Sequence, residues 1–436
     1  MPTAYTILFL LLILVAAATW IIPAGSYDYV DGVPVAGTYH AVAQNPQGVG
    51  DVLKAAFSGF YDAVDVCIFI LMVGGFLGVV MKTGAVDAGV SNIIRLLGGR
   101  EKWLIPILML LFGLGGTTYG MWEETMAFYP LLIPVFLAAG YDAVVGISVI
   151  LLGAGAGVIA STVNPFATGI AAGFAGVSLG EGILLRLLEW VAFEAAAIWF
   201  VMAYAARVKR NPSKSVVGVG AGRIQVTMDQ QVPFTPKRKV IMAIFTLTFL
   251  IMVYAVVPFD EMGLSLPTLG WWFPELSALF LVGGVVIGLI DRMSEEELTE
   301  TYVAGCADLL GVAFIIGISR GITVLMRDGA ITDTILHWGE AALSGAGAVS
   351  FTLLVFALYL PLTILIPSSS GLATLSIPIV APLGKFAGVG GDLVVTAFQS
   401  ASGLVNILTP TAAVVMGALA LGHVPYDRWV KYVWKL

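Results

Sequence analysis

Two adjacent carboxylates stand inside an otherwise apolar stretch, in Gly120-Met121-Trp122-Glu123-Glu124-Thr125. Ionisable side chains at membrane depth are costly and mark ligand or ion paths more often than structure. The plainer alternative is that the pair complements the positive N-terminus of a following helix. Neighbouring helical residues point about 100° apart, so only one of Glu123 and Glu124 is expected to meet a ligand. Hydroxyls precede them at Thr117 and Thr118. A second polar break, Pro367-Ser368-Ser369-Ser370-Gly371, offers hydroxyls without an acid.

Two further breaks carry a different chemistry. Asn164 precedes Pro165 and Thr409 precedes Pro410, each an N-cap residue followed by proline at a first helical position. The N–H groups exposed there can hold carboxylates, and the carbonyls ending the preceding half-helix can hold Na+, near Ser161, Thr162 and Asn406. One such break is explained by a packed kink, whereas two in corresponding places point to a binding site. The candidate ligand set is therefore Thr117, Thr118, Glu123, Glu124, Asn164, Ser368, Ser369, Ser370, Asn406 and Thr409. Acid on one side only favours an amino acid with a cationic end, its carboxylate on helix N-termini and serine hydroxyls. A dicarboxylate or other organic anion, the rival, would want two cationic patches, and Arg320 is the basic residue at depth. Trp122 and Phe128 could stack on a guanidinium, although aromatic packing is their default role.

The elements that must position these residues are membrane helices. Hydrophobic residues make up 59% of the 436 positions and charged residues 11%, against roughly 25% charge in soluble domains. Apolar runs near ~20 residues recur, so the chain is expected to be an all-α integral membrane protein. The run from Tyr5 to Ile22 has no basic flank or cleavage site and reads as a retained span. A net charge of -7 spread over short loops gives no reason to expect nucleic acid. Cys67 and Cys306 lie in or beside apolar runs, as packing residues do.

Residues 1–206 parse as a first copy of a plan: spans at 5–22 and 64–81, an amphipathic piece at 87–98, a hairpin at 102–138, and a broken helix at 142–175. The hairpin arms, of about 11 to 18 residues, include one too short for a ~30 Å core, so the hairpin is expected to re-enter. A Lys- and Arg-rich linker, 207–239, is cytoplasmic by the positive-inside rule. An extra span and outer loop, 240–273, precede a second copy at 274–436. Its parts are spans at 275–290 and 308–326, an amphipathic piece at 331–343, a hairpin at 347–386 and a broken helix at 391–421. Gly74 and Gly78 keep the spacing from Asp65 that Gly317 and Gly321 keep from Asp308, and Pro130, Pro134 and Gly140 fall in step with Pro378, Pro382 and Gly388. The extra span makes the second copy enter from the opposite side, giving inverted repeats. The first copy ends in a span that the second lacks, so the native chain is expected to continue past Leu436.

Paired discontinuous helices in two halves imply a secondary transporter. An enzyme is not expected, because the sequence has no Gly-x-Ser-x-Gly or His-Glu-x-x-His and His40, His337 and His423 lie away from mid-span.

Four separated motifs resemble the YfcC family of the ion transporter superfamily: Pro2-Thr3-Ala4-Tyr5-Thr6-Ile7 through Pro23-Ala24-Gly25-Ser26-Tyr27, Gly120 to Thr125, Asp308-Leu309-Leu310-Gly311 to Arg320-Gly321, and Leu365 to Gly371. That family is often described as C4-dicarboxylate carriers and includes members regarded as arginine/ornithine antiporters. The resemblance implies an elevator transporter of a bacterial inner or plasma membrane. It also implies a homodimer, each protomer with a scaffold and a transport domain. Superfamily relatives often carry a Ser-Asn-Thr motif, which Thr117-Thr118, Ser161-Thr162, Ser368 to Ser370 and Asn406 approximate. The expectation is exchange of a basic amino acid without an organic cofactor, with Na+ or H+ as the coupling ion.

Overall fold

Local chemistry sets the helix ends. Asp142, in extended backbone, accepts a hydrogen bond from Val145 N at 3.0 Å and starts one helix, and Ser294 does the same for Glu297 N at 3.1 Å. Gly120 at φ 77° ends another in the left-handed conformation that glycine adopts without strain.

The computed structural model describes residues 4–31, 33–86, 88, 89, 92, 100–178, 180–218, 233–256, 259 and 265–436. Its α-helices are α1 Ala4–Ala18, α2 Val49–Asp62, α3 Val64–Lys82, α4 Leu104–Tyr119, α5 Tyr129–Ala138, α6 Ala143–Ala160, α7 Ile170–Ala175, α8 Ile183–Arg210 and α9 Pro236–Val256. They continue with α10 Phe273–Asp291, α11 Glu295–Asp328, α12 Thr332–Leu343, α13 Ala348–Leu365, α14 Ser369–Phe386, α15 Gly391–Asn406, α16 Ala413–Leu421 and α17 Tyr426–Val433. Among the described residues six helices are long and apolar enough to cross a bilayer: α3, the Glu101–Tyr119 stretch containing α4, α6, α10, α11 and α13. Two of these, α4 and α13, are the first arms of the expected hairpins, and their length alone would let them span.

Helices α4 to α7 lie within 102–175 and α13 to α16 within 347–421, the stretches read from sequence as hairpins and broken helices. Of the amphipathic piece at 87–98, residues other than 88, 89 and 92 lie outside the described set, as does 219–232 of the linker. Sequence reading missed α2. It buries Val52, Ala55, Ala56 and Gly59, a helical stripe laid on α11. The span expected at 308–326 is the second part of α11, which begins at Glu295; Glu295, Glu296 and Glu297 occupy its first turn, where the helix dipole favours acids.

Packing gathers α1, α2 and α3 around α11, with α10 against α3 and α9 against α10. A Cβ on Gly74 would lie 2.5 Å from the Gly305 carbonyl oxygen, and one on Gly59 would lie 2.1 Å from that of Gly317. Gly74 and Gly317, in step along the sequence, therefore serve different partners: the first admits α11 to α3, the second admits α2 to α11. A second group joins α4 to α6 and α8, α5 to α6, α13 to α15, and α15 to α6.

The chain around 24–42 forms two short antiparallel pairings, Gly25–Ser26 with His40–Ala41 and Tyr29–Val30 with Val33–Pro34. Tyr27 donates to Glu340 at 2.7 Å and Tyr29 to Asp333 at 2.8 Å. Burial, reinforced by these carboxylates, pushes both phenols well above their ordinary pKa. His337 stacks on Tyr39 at 4.1 Å and approaches Glu340 at 3.2 Å.

Candidate functional site

Break 1 follows α6. Ser161 takes a left-handed conformation at φ 46°, residues 161–164 leave the helix, and a π-helical turn, Pro165–Gly169, leads into α7. Asn164 is buried. Its backbone oxygen accepts from Gly169 N at 2.8 Å, and its Oδ1 lies 3.4 Å from Ala167 N. The restart thus falls at Asn164-Pro165, as the sequence indicates.

Break 2 corrects the corresponding expectation. After α15 the chain stays irregular through Ala412, so Ala412 and not Thr409 is the N-cap of α16. The Thr409 hydroxyl lies 2.9 Å from that of Thr411 and accepts from Thr411 N at 3.3 Å. Its capping chemistry is spent within the turn. The restart at Ala413 follows Pro165 by 248 residues, the offset that separates Pro130 from Pro378 and the start of α6 from that of α15.

The breaks meet because α6 and α15 cross beside them. A Cβ on Gly155 would sit 2.5 Å from Ile407 Cγ2, and one on Gly403 would sit 2.5 Å from Ile159 Cα. Each chain segment offers a glycine and, four residues on, an isoleucine that abuts the other's glycine: the Ile407 side chain at Gly155, and chiefly the Ile159 backbone at Gly403. Gln399 of α15 donates through Nε2 to Val158 O at 2.7 Å, joining the end of one broken helix to the other. Gln399 Oε1, Ser402 Oγ and Asn406 Oδ1 are buried along α15 without a hydrogen-bond partner. Gln399 and Ser402 escaped sequence reading because no local break marks them.

Hairpin 1 is fastened to break 1. The Thr117 hydroxyl donates to Thr162 Oγ1 at 3.1 Å and accepts from Thr162 N at 3.1 Å, while Thr162 Oγ1 donates to Thr117 O at 3.0 Å. Val163 N adds a bond to Thr117 O at 3.2 Å. A Cβ on Gly157 would lie 2.2 Å from Gly113 O, and one on Gly120 would lie 2.6 Å from Asn164 Nδ2. Thr118 stands apart from this clasp, because its hydroxyl donates back to Leu114 O at 2.6 Å.

Glu123 and Glu124 begin a 3-10 turn, Glu123–Phe128, and lie in different surroundings. Glu124 is buried, and its Oε2 accepts from Trp122 N at 3.1 Å. Glu123 lines a cavity of about 30 Å3 together with Trp122, Arg320, Pro367 at the tip of hairpin 2, and Thr411 of break 2. Ser319, beside Arg320 on α11, donates to Thr411 O. Phe128 packs on Phe112 and Phe249, so it fills the default aromatic role. At hairpin 2, Ser368 Oγ accepts from Gly371 N at 3.2 Å and lies 3.4 Å from Ser370 Oγ, with Ser369 between them opening α14.

Of the oxygens considered for Na+, Ser161 takes the Thr168 hydroxyl at 2.8 Å on Oγ and 2.9 Å on its carbonyl, and Thr162 belongs to the clasp. Asn406 Oδ1 alone of the three side-chain oxygens remains unpartnered. The site as a whole places an acid, a base, two hydroxyl-bearing tips and two irregular helix junctions around one crossing.

Comparison with known proteins assigns a family. The profile described as DcuC: C4-dicarboxylate anaerobic carrier matches residues 1–436. A Haemophilus influenzae protein called "Uncharacterized protein" is 35% identical over 99% of this chain and 93% of its own. The Escherichia coli (strain K12) protein named "Putative basic amino acid antiporter YfcC" is 31% identical over 99% of this chain and 92% of its own. Among solved structures, the YdaH transporter of Alcanivorax borkumensis is 14% identical with a TM-score of 0.42, covering 100% of this chain and 95% of that one. MtrF of Neisseria gonorrhoeae, described with a class of antimetabolite efflux pumps, is 17% identical with a TM-score of 0.44, covering 99% and 94%. A match along the whole sequence, with full-length relatives above 30% identity, shows that the chain is a membrane transporter of the DcuC family and, within it, of the YfcC family.

Proposed function

We propose that this transporter exchanges a basic amino acid, of the arginine or ornithine class, across a bacterial inner membrane. The observation that carries the reading is the cavity shared by Glu123 and Arg320. A basic amino acid carries one carboxylate and two cationic groups. The Arg320 guanidinium suits the carboxylate, and Glu123 suits a cationic end, with hydroxyls of Ser369, Ser370 and Thr409 near the tips and break that border it. At about 30 Å3 the cavity has room for about one water, so a substrate enters only when α11 and the hairpin tips part.

The reading includes an elevator of two inverted repeats, 1–206 and 274–436, joined by a cytoplasmic linker at 207–239 and the span and outer loop at 240–273. The reciprocal glycine and isoleucine contacts of α6 and α15 support a two-fold relation between the halves. So does the exchange of half-helices, in which α14 packs on α7 while α5 and the Glu123–Phe128 turn pack on α16. Hairpins, broken helices and α8 would form the moving body, and α1, α3, α10 and α11 the scaffold of a homodimer. Grooves of about 580 and 1050 Å3 run where α11 faces α5 and α16, which supports sliding at that seam. Na+ at Asn406 or H+ would supply coupling.

The family description and the single guanidinium of Arg320 favour a second reading, a C4-dicarboxylate carrier. Proteoliposomes loaded with unlabelled arginine, ornithine, lysine or succinate and offered each as radiolabel, with and without Na+ and pH gradients, separate the two. Arginine/ornithine exchange that succinate does not inhibit is the expected result, and succinate-only transport would overturn it.

A further inference from the structure

α8 carries a carboxyl group that the cavity above does not use. Glu194 is 3% exposed, and neither of its carboxylate oxygens has a hydrogen-bond partner. It occupies the space that glycine leaves on α4, where a Cβ at Gly113 would fall 2.3 Å from Glu194 Oε2. The indole N–H of Trp190, one turn earlier on α8, is the neighbouring donor; it interacts with the carboxyl group but falls short of a well-formed hydrogen bond. Leu110, Val191, Ala195 and Ile198 complete the lining of the adjoining cleft, of about 190 Å3.

Among the described residues no cation faces this group from α4 or α6, the helices packed along this stretch of α8; Lys214, in the short turn Pro212–Lys214 that packs on α8, follows the far end of that helix. α4 from Leu104 to Thr118 and α6 over its full length contain no titratable side chain. On α8 itself, Glu189 accepts from Ser400 at 3.0 Å, and Arg186 donates to Glu181 O at 2.9 Å and interacts electrostatically with Asp392 and Glu189. An ionised carboxylate with no cation and only one poorly aligned indole N–H in an apolar enclosure is the expensive state, and a proton is the smallest ligand that removes the charge.

We propose that Glu194 is a proton-binding site of the transporter, and that its loading and release accompany the transport cycle. The step is a plain transfer, in which the carboxylic acid gives its proton to water when the cleft is wetted and the carboxylate takes one back on the other side. Gly113 lies one helical turn before Thr117, so the acid abuts the arm that clasps break 1. This placement rests on transport as such and not on the identity of the substrate.

Infrared difference spectroscopy of the purified, lipid-reconstituted protein, titrated around neutral pH, tests the site without any substrate. A carboxylic acid C=O band is expected in the wild type, lost in Glu194→Gln and retained but shifted in Glu194→Asp. In proteoliposomes, stimulation of substrate flux by an imposed pH gradient is expected to vanish in Glu194→Gln. Should that variant misfold, the Asp variant still decides, since a folded Glu194→Asp protein with an unshifted band overturns the proposal. An unchanged band in folded Glu194→Gln overturns it equally. Lost pH coupling with exchange of some other substrate would leave this site standing while refuting the basic amino acid reading.

Discussion

Hairpin 1 and hairpin 2 spend similar polar breaks in opposite ways. At the first, Thr117 and Thr162 close a ring of bonds and Val163 N adds another, so hydroxyls tie the arm to the neighbouring helix break. At the second, Ser368 caps its own helix and bonds stay within the first turn, as with Thr374 to Ser370 O at 3.0 Å. One break is consumed in fastening to a neighbouring segment, and the other spends its hydroxyls within its own helix, with Pro367 before them at the cavity. Polar residues at a helix break therefore do not identify a ligand site until their partners are known, because fastening and binding call on the same groups.

The comparison can be broken most forcefully at the acids. Glu123→Gln is expected to lower kcat/KM for arginine uptake by at least about 100-fold, roughly 3 kcal/mol, as for a desolvated charged contact. Glu124→Gln should cost much less transport, since Glu124 already serves Trp122 N. Equal losses would show that the two acids share one role. Next in size, Gly155→Ala and Gly403→Ala should each lower stability by about 1–3 kcal/mol through overpacking, read as thermal unfolding in detergent. A loss at one glycine only would end the reciprocal description of that crossing.

Smaller effects sharpen the contrast between the tips. Thr117→Val should cost about 1–2 kcal/mol, because Thr162 loses its partners in a buried place. Ser368→Ala should cost about 1 kcal/mol as a lost N-cap. If the second loss exceeded the first, the first tip would not be the fastened one. Thr118→Val, which gives up only a bond to its own helix, should stay within about 0.5 kcal/mol and leave transport unchanged.

Much of this arrangement was legible because glycine and proline punctuate it. Gly120 ends α4, and the Pro130 and Pro378 repeat fixes the second arms, so both hairpins could be bounded. Break 2 was misplaced by three residues because Thr409-Pro410 has the local signature of a helix start, and only the bonds to Thr411 reveal that its hydroxyl is taken. The meeting of Glu123 with Arg320 was not legible, because nearly two hundred residues separate that guanidinium from the acid and only tertiary packing brings them to one cavity. Glu189 and Glu194 are both acids of α8, and the difference between them is a partner that no sequence pattern marks: Ser400 for Glu189, a glycine's empty space for Glu194.

The interlocked Gly155 with Ile407 and Gly403 with Ile159 have a consequence for how such a chain can diverge. At Gly155 the obstacle is the Ile407 side chain, so a larger residue there needs a smaller one at 407, and the two are expected to change as a compensating pair across the two halves of the gene. At Gly403 the obstacle is the Ile159 backbone, which no substitution at 159 removes, so that position is expected to stay glycine. Loops, tips and charges can drift independently, whereas the volumes at 155 and 407 should vary together across relatives even where nothing else about the two halves still matches.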